Sequence, residues 1–233
     1  MFASPDGQKL FTDDGGNLRA WDVASQKELS LLSTSGAEWT YLDATRKWMF
    51  GTSWEGFSIV NYETLQSAGG SRWENVFHFV WDESRGRGYT ATASHICELV
   101  QEHGHWRQKP RYKTEDFTVH VTQLVPLEDN RLLVAFKNGY GILNTDTWEL
   151  LKREENDPRE FEPGPPGTLL AITRLGRPDE PRVRIDLVSQ KDLSIQGSIE
   201  LRERYWFNAR AYDPHTATLG LIAGQNLLFL DAN

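Results

Sequence analysis

A pattern of turns alternating with short apolar segments decides the fold, and it first occurs at residues 4–22, SPDGQKLFTDDGGNLRAWD. Its turns are Asp6-Gly7 and Asp14-Gly15-Gly16-Asn17, and the segment between them carries Leu10 and Phe11. An aspartate at the start of a turn can bond its own backbone two residues further on, and glycine supplies a positive φ. The stretch therefore predicts two successive β-hairpins.

The same pattern returns along the whole chain. Its further copies open at residues 42–50 (LDATRKWMF), 81–86 (WDESRG), 127–133 (LEDNRLL) and 212–217 (YDPHTA). The turn aspartates lie 37, 39, 47 and 84 residues apart, at Asp6, Asp43, Asp82, Asp129 and Asp213. Because the last gap is close to two periods, residues 163–168 (PGPPGT) are interpreted as a degenerate copy. Six units of about 39 residues follow from this spacing.

The segments that flank these turns are typical of β-strands. Five or six residues in length, they are rich in β-branched and aromatic types, as at 38–42, 76–81 and 131–136. A second hairpin turn recurs in most units, for example at 137–139 and 224–226. No stretch has the regular period of a substantial amphipathic helix. The sequence therefore predicts an all-β chain.

Residues 14–22, followed by Lys27-Glu28-Leu29, resemble one repeat of a WD40-type β-propeller, with the Trp21-Asp22 pair in the matching place. Residues 137–144 (KNGYGILN) and 224–231 (GQNLLFLD) resemble degraded copies of the middle of that repeat. Quinoprotein-like and YVTN-like propellers share the same signature, so the resemblance is to this wider group. It implies four-stranded sheets, called blades, arranged around an axis.

Physical reasoning supports the same architecture. A four-stranded sheet has two faces to cover, and radial stacking of sheets covers both. The nine tryptophans, spread along the chain, suit packing between such sheets. We expect one domain, residues 1–233, with about six four-stranded blades and an incomplete blade at the seam. Five blades, or an arc of a seven- or eight-bladed ring, are the alternatives. The expected blades span residues 1–34, 35–72, 73–115, 116–156, 157–202 and 203–233.

Composition narrows the class of partner. The formal net charge is -8 and the pI is about 5.3, whereas proteins that hold a nucleic-acid backbone are usually basic. No apolar run approaches the ~18 residues of a membrane helix, and the N-terminus does not resemble a signal peptide. Cys97 is the only cysteine, so no intramolecular disulfide can form. We therefore expect a cytoplasmic protein that binds neither nucleic acid nor membrane.

Motifs for catalysis are lacking. The sequence has no nucleophile elbow, HExxH pair, Walker loop or EF-hand loop, so we expect no catalytic residue and no cofactor. His103-Gly104-His105 offers two imidazoles, but a closed metal site needs three or four ligands, so no metal is expected. The expected function is a non-catalytic protein–protein interaction scaffold. Its acidic charge favours a basic partner through long-range attraction.

Candidate binding residues come from the propeller resemblance. Propeller ligands usually meet one rim, where the loops between blades gather with the turns that join the middle strands. Exposed Trp, Tyr and Arg are enriched at binding hot spots, and Trp54 at a turn tip is the sharpest case. Residues 154–167 are predicted to be a long, charged, proline-containing loop between two blades. The strand assignment places near that rim Asp14, Trp54, Glu55, Arg72, Trp73, Phe117, Lys137, Asn138, Arg159, Arg204 and Tyr205.

A second hypothesis is a small-molecule- or glycan-binding propeller, lectin-like or hydrolytic, that uses the central channel. Its candidates are Trp39, His78 and His120. The two histidines alternate with apolar neighbours on predicted inner strands, and sugars stack on aromatic faces. The competing structural interpretation is that the histidines bond to backbone and that the tryptophan packs between blades.

Overall fold

The computed structural model describes residues 1–14, 17–33, 38–43, 47–53, 56–71, 76–103, 105–114, 121–177, 180–202, 207–213, 218–223 and 226–231. These residues form β-strands and no α-helix. Accordingly, this part of the chain contains no helix that could cross a bilayer. The all-β prediction is confirmed.

Consecutive strands pair antiparallel in groups that we call blades. Blade 1 contains β1 Phe2–Ala3, β2 Lys9–Asp13, β3 Asn17–Asp22 and β4 Lys27–Ser33. Blade 2 contains β5 Glu38–Asp43, β6 Trp48–Ser53, β7 Gly56–Asn61 and β8 Gln66–Ser71. Blade 3 contains β9 Val76–Asp82, β10 Arg87–Thr92, β11 His95–Glu102 and β12 His105–Lys113. Blade 4 contains β13 Val121–Leu127, β14 Arg131–Phe136, β15 Gly139–Asn144 and β16 Leu150–Glu155. Blade 5 contains β17 Glu160–Pro163, β18 Thr168–Arg177, β19 Glu180–Ser189 and β20 Ile195–Arg202. Blade 6 contains β21 Phe207–Asp213, β22 Thr218–Ala223 and β23 Asn226–Asp231.

Six groups of strands are thus present, and blade 6 has three strands among the described residues. By its contacts the chain divides into two compact units, Met1–Leu124 and Val125–Asn233. The expectation of a single domain stays a prediction.

The middle strands show why blades need neighbours. Every residue of β10 and β14 after the first is buried, so both faces of these strands are covered. In the first unit, Phe11 of blade 1 belongs to the same buried cluster as Met49 and Val60 of blade 2. Burial of apolar surface at about 25 cal/mol per Å² is the dominant stabilising term for such packing.

Blades 2 and 3 share an aromatic cluster. The rings of Phe50 and Phe79 stack with centroids 4.8 Å apart, and Trp48 meets Trp106 edge to face at 5.0 Å. The two outer strands β8 and β12 also pair in parallel at Gly69 and Trp106, which joins these blades into one eight-stranded sheet. Gly69 has φ +155°, and a Cβ there would lie 2.7 Å from the Trp106 backbone nitrogen.

In the second unit, blades 4 and 5 pack on one another through a buried cluster. Leu133, Tyr140 and Ile142 of blade 4 belong to it together with Phe161 and Leu169 of blade 5. The Tyr140 and Phe161 rings meet edge to face at 5.5 Å. This cluster brings the loops of blades 4 and 5 together.

One turn type recurs between the third and fourth strands. Asn61 accepts hydrogen bonds from the Glu63 and Thr64 nitrogens, and Asn144 accepts two from Asp146 and Thr147. Four residues after each asparagine the backbone has a positive φ, at Leu65 and Trp148. Asp22 with Gln26 repeats the arrangement in blade 1, where Asp22 accepts hydrogen bonds from Ser25.

These turns also receive a cation from the preceding blade. Lys9, the first residue of β2, donates from Nζ to the carbonyl oxygens of Tyr62 (3.2 Å) and Glu63 (2.9 Å) in blade 2. Arg131, the first residue of β14, donates to the carbonyl oxygens of Gln190 (3.1 Å) and Lys191 in blade 5. We call these two contacts the cation clamps.

The Arg131 clamp gives the first testable prediction. Hydrogen bonds from charged donors contribute about 1.5–3 kcal/mol, and Arg131→Met leaves the carbonyl oxygens of Gln190 and Lys191 without that donor. We expect urea unfolding of this variant to show a loss of about 1.5–3 kcal/mol. The control is Arg107→Met, whose parent side chain is 67% exposed, and it should unfold like the wild type. A loss below about 0.5 kcal/mol for Arg131→Met would contradict the clamp.

Gly69 gives the second prediction. A methyl group at this position overlaps the Trp106 backbone, and overpacking of this kind costs about 1–3 kcal/mol. Gly69→Ala should therefore lower the midpoint of thermal unfolding, measured by circular dichroism. Gly197→Ala is the matched control, since a Cβ there meets nothing within 4 Å. Equal midpoints for the two variants would mean that the β8–β12 junction does not constrain the fold.

Candidate functional site

The packing of blades 4 and 5 gathers one set of loops at an edge. The β14–β15 turn presents Lys137 and Asn138, and the β16–β17 loop presents Asp157 and Arg159. The Asp157 nitrogen donates to the Asn138 carbonyl oxygen at 3.2 Å, which ties the turn to the loop. Three predicted rim residues, Lys137, Asn138 and Arg159, therefore lie in the same region. We call the surface of Lys137, Asn138, Asp157, Arg159, Arg184 and Asp186 the 4–5 rim.

The predicted loop at residues 154–167 is wrong in its extent. Residues 154 and 155 complete β16, and β17 spans Glu160–Pro163, so only residues 156–159 connect the two strands. The charged residues led the sequence argument to a solvated loop, but Phe161 is buried between blades and holds β17 against β18. The short connection places Arg159 in a defined position.

Arg159 is held by two carboxylates. Its Nε donates to Asp157 Oδ1 at 2.8 Å, and its NH1 lies 3.7 Å from Asp186 Oδ2. The side chain is 17% exposed, so it is less accessible than a rim contact was expected to be. Lys137 and Asn138 are exposed at the tip of their turn. In this part of the rim the turn offers the accessible atoms and Arg159 supports the loop.

Asp186 is the buried anion of the site. Its side chain is 1% exposed, and Oδ1 accepts hydrogen bonds from Arg184 Nε (2.7 Å) and from the Ser198 hydroxyl. Burial by itself disfavours the charged carboxylate, but these hydrogen bonds and the charges of Arg184 and Arg159 together lower the pKa of Asp186. Asp186 is therefore ionised at neutral pH and orients both guanidinium groups.

Tyr140 connects the rim to the core below it. Its ring is buried against Phe161, and burial raises the pKa of its phenol above the ordinary value. Lys152 Nζ lies 5.8 Å from the ring centroid and 3.2 Å from Glu154 Oε1. The phenol therefore stays protonated at neutral pH, next to a surface of alternating charges.

The arrangement suits binding of a polar surface. Ion pairs at the 4–5 rim match cations with anions, and the exposed side chains of Lys137 and Asn138 form no ion pair or hydrogen bond with another described residue. Among the described residues no group of three or more His, Cys, Asp or Glu side chains could hold a metal ion. Rigid, pre-oriented polar groups reduce the entropy lost on association.

Asp14, in the first unit, belongs to a separate surface network. Its carboxylate accepts hydrogen bonds from the Asn17 nitrogen (3.0 Å) and from Arg19 Nε (3.2 Å), and Arg19 also contacts Glu28 at 2.9 Å. These side chains are about one-third to two-fifths exposed, at 43% for Asp14. The network closes the turn that the sequence predicted. A partner contact for Asp14 stays a prediction.

The remaining predicted rim residues cannot be placed in the same way. Seven of them lie outside the described residues: Trp54, Glu55, Arg72, Trp73, Phe117, Arg204 and Tyr205. His120 of the channel set also lies outside them. Their proposed contacts with a partner stay predictions.

Two channel candidates are described. Trp39 is 5% exposed and packs with Phe11 and Met49, so a ligand that stacked on its ring would have to displace core side chains. His78 on β9 is half-buried, and burial lowers the pKa of its imidazole, which is therefore neutral at pH 7. In the described part of the chain no residue hydrogen-bonds its ring. A ligand site at these residues stays a prediction.

Sequence reasoning missed Asp157, Arg184 and Asp186. The signal for Asp186 was present in residues 182–188, RVRIDLV, where it occupies a strand position instead of a turn. A carboxylate between Ile185 and Leu187 must be paired if it is buried. The alternation of Val183, Ile185 and Leu187 would have placed Arg184 and Asp186 together on the other face of the strand.

Comparison with known proteins supports the fold. No protein-family model and no curated protein matches the sequence. A chain in the crystal structure of the mitotic checkpoint complex is 16% identical with a TM-score of 0.70, and the match covers 99% of this chain and 75% of that one. For the β-propeller domain of Myceliophteria thermophila Cps50 (Swd1) the identity is 11% and the TM-score 0.64, with 100% and 82% covered.

The fold also matches a chain in an enzyme structure. Dihydro-heme d1 dehydrogenase NirN is 12% identical with a TM-score of 0.58, and the match covers 99% of this chain and 63% of that one. Sequence identities this low show only that the fold is shared, because one fold occurs in proteins of unrelated function. The chain has the fold of a WD40-like β-propeller.

Proposed function

We propose that this chain is a non-catalytic, cytoplasmic interaction scaffold that binds a partner protein at the 4–5 rim. The observation that carries the proposal is the joining of the β14–β15 turn to the β16–β17 loop, through Asp157 and Asn138. This contact holds the exposed Lys137 and Asn138 in a fixed position beside a paired Arg159. The occurrence of the same fold in a mitotic checkpoint complex supports a role in assemblies.

The overall charge favours one class of partner. With a formal charge of -8, the chain attracts a basic protein over distances of several ångströms, and salt weakens that attraction because the Debye length is about 8 Å at physiological ionic strength. The rim itself is nearly balanced in charge. In this proposal the net charge of the chain speeds the encounter with the partner, and the polar groups of the rim determine which partner is bound.

The test has two stages. The partner is first identified by affinity purification with the full chain and then purified, and its dissociation constant is measured by isothermal titration calorimetry. The double variant Lys137→Ala/Asn138→Ala should bind about tenfold more weakly, which corresponds to about 1.4 kcal/mol, without a change in melting temperature. Raising the salt from 50 to 300 mM should weaken binding by the wild type if the partner is basic.

Its control lies at the opposite edge of blades 4 and 5. Glu128→Ala/Lys191→Ala also truncates two exposed side chains and should retain wild-type affinity. If this control loses as much affinity as the rim variant, or if the rim variant binds normally, the 4–5 rim is not the binding surface.

A further inference from the structure

The outer strand of blade 3 carries a row of basic side chains. Residues 105–113 read HWRQKPRYK, and His105, Arg107 and Lys109 occupy alternate positions, so they lie on one face of β12. A register shift follows at Ile96/Cys97, opposite Pro110 and Tyr112. This bulge keeps Arg111 on the same face, since its Nε donates to Glu98 Oε2 at 3.0 Å.

The row is accessible and rich in basic side chains. The Arg107 side chain is 67% exposed and lies 4.0 Å from Glu102, while Lys109 is exposed and forms no ion pair with a described residue. Arg87 adds a cation from β10, with its Nε 3.8 Å from Glu98 Oε1. We call Arg87, Arg107, Lys109 and Arg111 the basic face. The basic face places these four basic side chains next to the carboxylates of Glu98 and Glu102, in a chain whose net charge is negative.

Glu98 organises part of this face. Its side chain is 12% exposed and lies between Arg87 and Arg111. A carboxylate in this position orients the guanidinium groups on either side of it. Lys109 lies directly opposite Glu98 in the register of β11 and β12, and Arg107 continues the row next to Glu102. The face therefore offers two cations, Arg107 and Lys109, at a spacing of two strand residues, with Arg111 beyond the bulge.

The geometry points to an extended acidic segment of a partner protein as the ligand of the basic face. A strand rises 3.3–3.4 Å per residue, so alternate side chains are about 6.6–6.8 Å apart. A peptide in extended conformation repeats its own side chains at this interval, and carboxylates at every second residue would each face one cation. Nucleic acid fits less well, because every nucleotide carries a phosphate, whereas a peptide can place neutral residues next to Glu98 and Glu102.

This inference is independent of the function proposed for the 4–5 rim. The basic face belongs to the first unit, Met1–Leu124, and attracts anions, whereas the net charge of the chain attracts basic partners. The two surfaces can be tested with different variants and different ligands.

The experiment measures binding of a fluorescein-labelled nine-residue peptide, alternating Glu and Thr, to the full chain by anisotropy at 50 mM NaCl. Arg107→Glu/Lys109→Glu should weaken binding at least tenfold. Lys27→Glu/Lys191→Glu makes the same charge change at exposed positions elsewhere and should alter affinity less than twofold. Both variants replace exposed side chains, and equal melting temperatures establish that each is folded.

Two further probes test the spacing and the class of ligand. A peptide of the same composition with its glutamates consecutive should bind at least fivefold more weakly than the alternating peptide. A labelled oligodeoxythymidylate of twelve nucleotides should also bind more weakly. Equal loss in the control variant, equal affinity for the two peptides, tighter binding of the oligonucleotide or no peptide binding at all would each overturn the proposal.

Discussion

Contact between neighbouring blades is the constraint on which the rest of the structure depends. A four-stranded sheet whose middle strands are apolar on both faces cannot be stable alone in water, and β10 and β14 are buried on both faces. Apolar clusters join blade 1 to blade 2, blade 2 to blade 3 and blade 4 to blade 5, and the cation clamps of Lys9 and Arg131 add directional bonds to the turns of the next blade. Apolar packing supplies most of the free energy that stabilises the folded chain, and the clamps orient blade 1 on blade 2 and blade 4 on blade 5.

The candidate site is a consequence of that packing. Tyr140 and Phe161 meet inside the core between blades 4 and 5, and at the edge of that core Arg159 pairs with Asp157 and with the buried Asp186. Because the loops come from two blades, their relative position is only as rigid as the core between them. The carboxylate of Asp186 is tolerated at 1% exposure since Arg184 and Ser198 hydrogen-bond it and Arg159 lies near.

Local charge departs from the charge of the whole chain. The net charge of -8 governs the attraction of distant molecules. The contact that forms depends instead on the charges within a Debye length, about 8 Å, of the binding surface. The basic face of β12 and the balanced 4–5 rim differ from that average, and they also differ from each other. A composition argument therefore predicts which molecules approach the protein and does not predict where each one binds.

By itself, the sequence determined the repeat, the strand content and the positions of most turns, because hairpin chemistry is local: Asp6, Asp82 and Asp129 lie in or at the start of turns, as their spacing predicted. It also placed Lys137 and Asn138 at one turn tip. Only the tertiary structure decided that Arg159 is a supporting side chain, that Asp186 lies buried beside it, and that β8 meets β12 at Gly69. These facts depend on contacts between residues distant in the chain. Neither the β-propensity of a segment nor the period of its apolar residues predicts which strand faces meet.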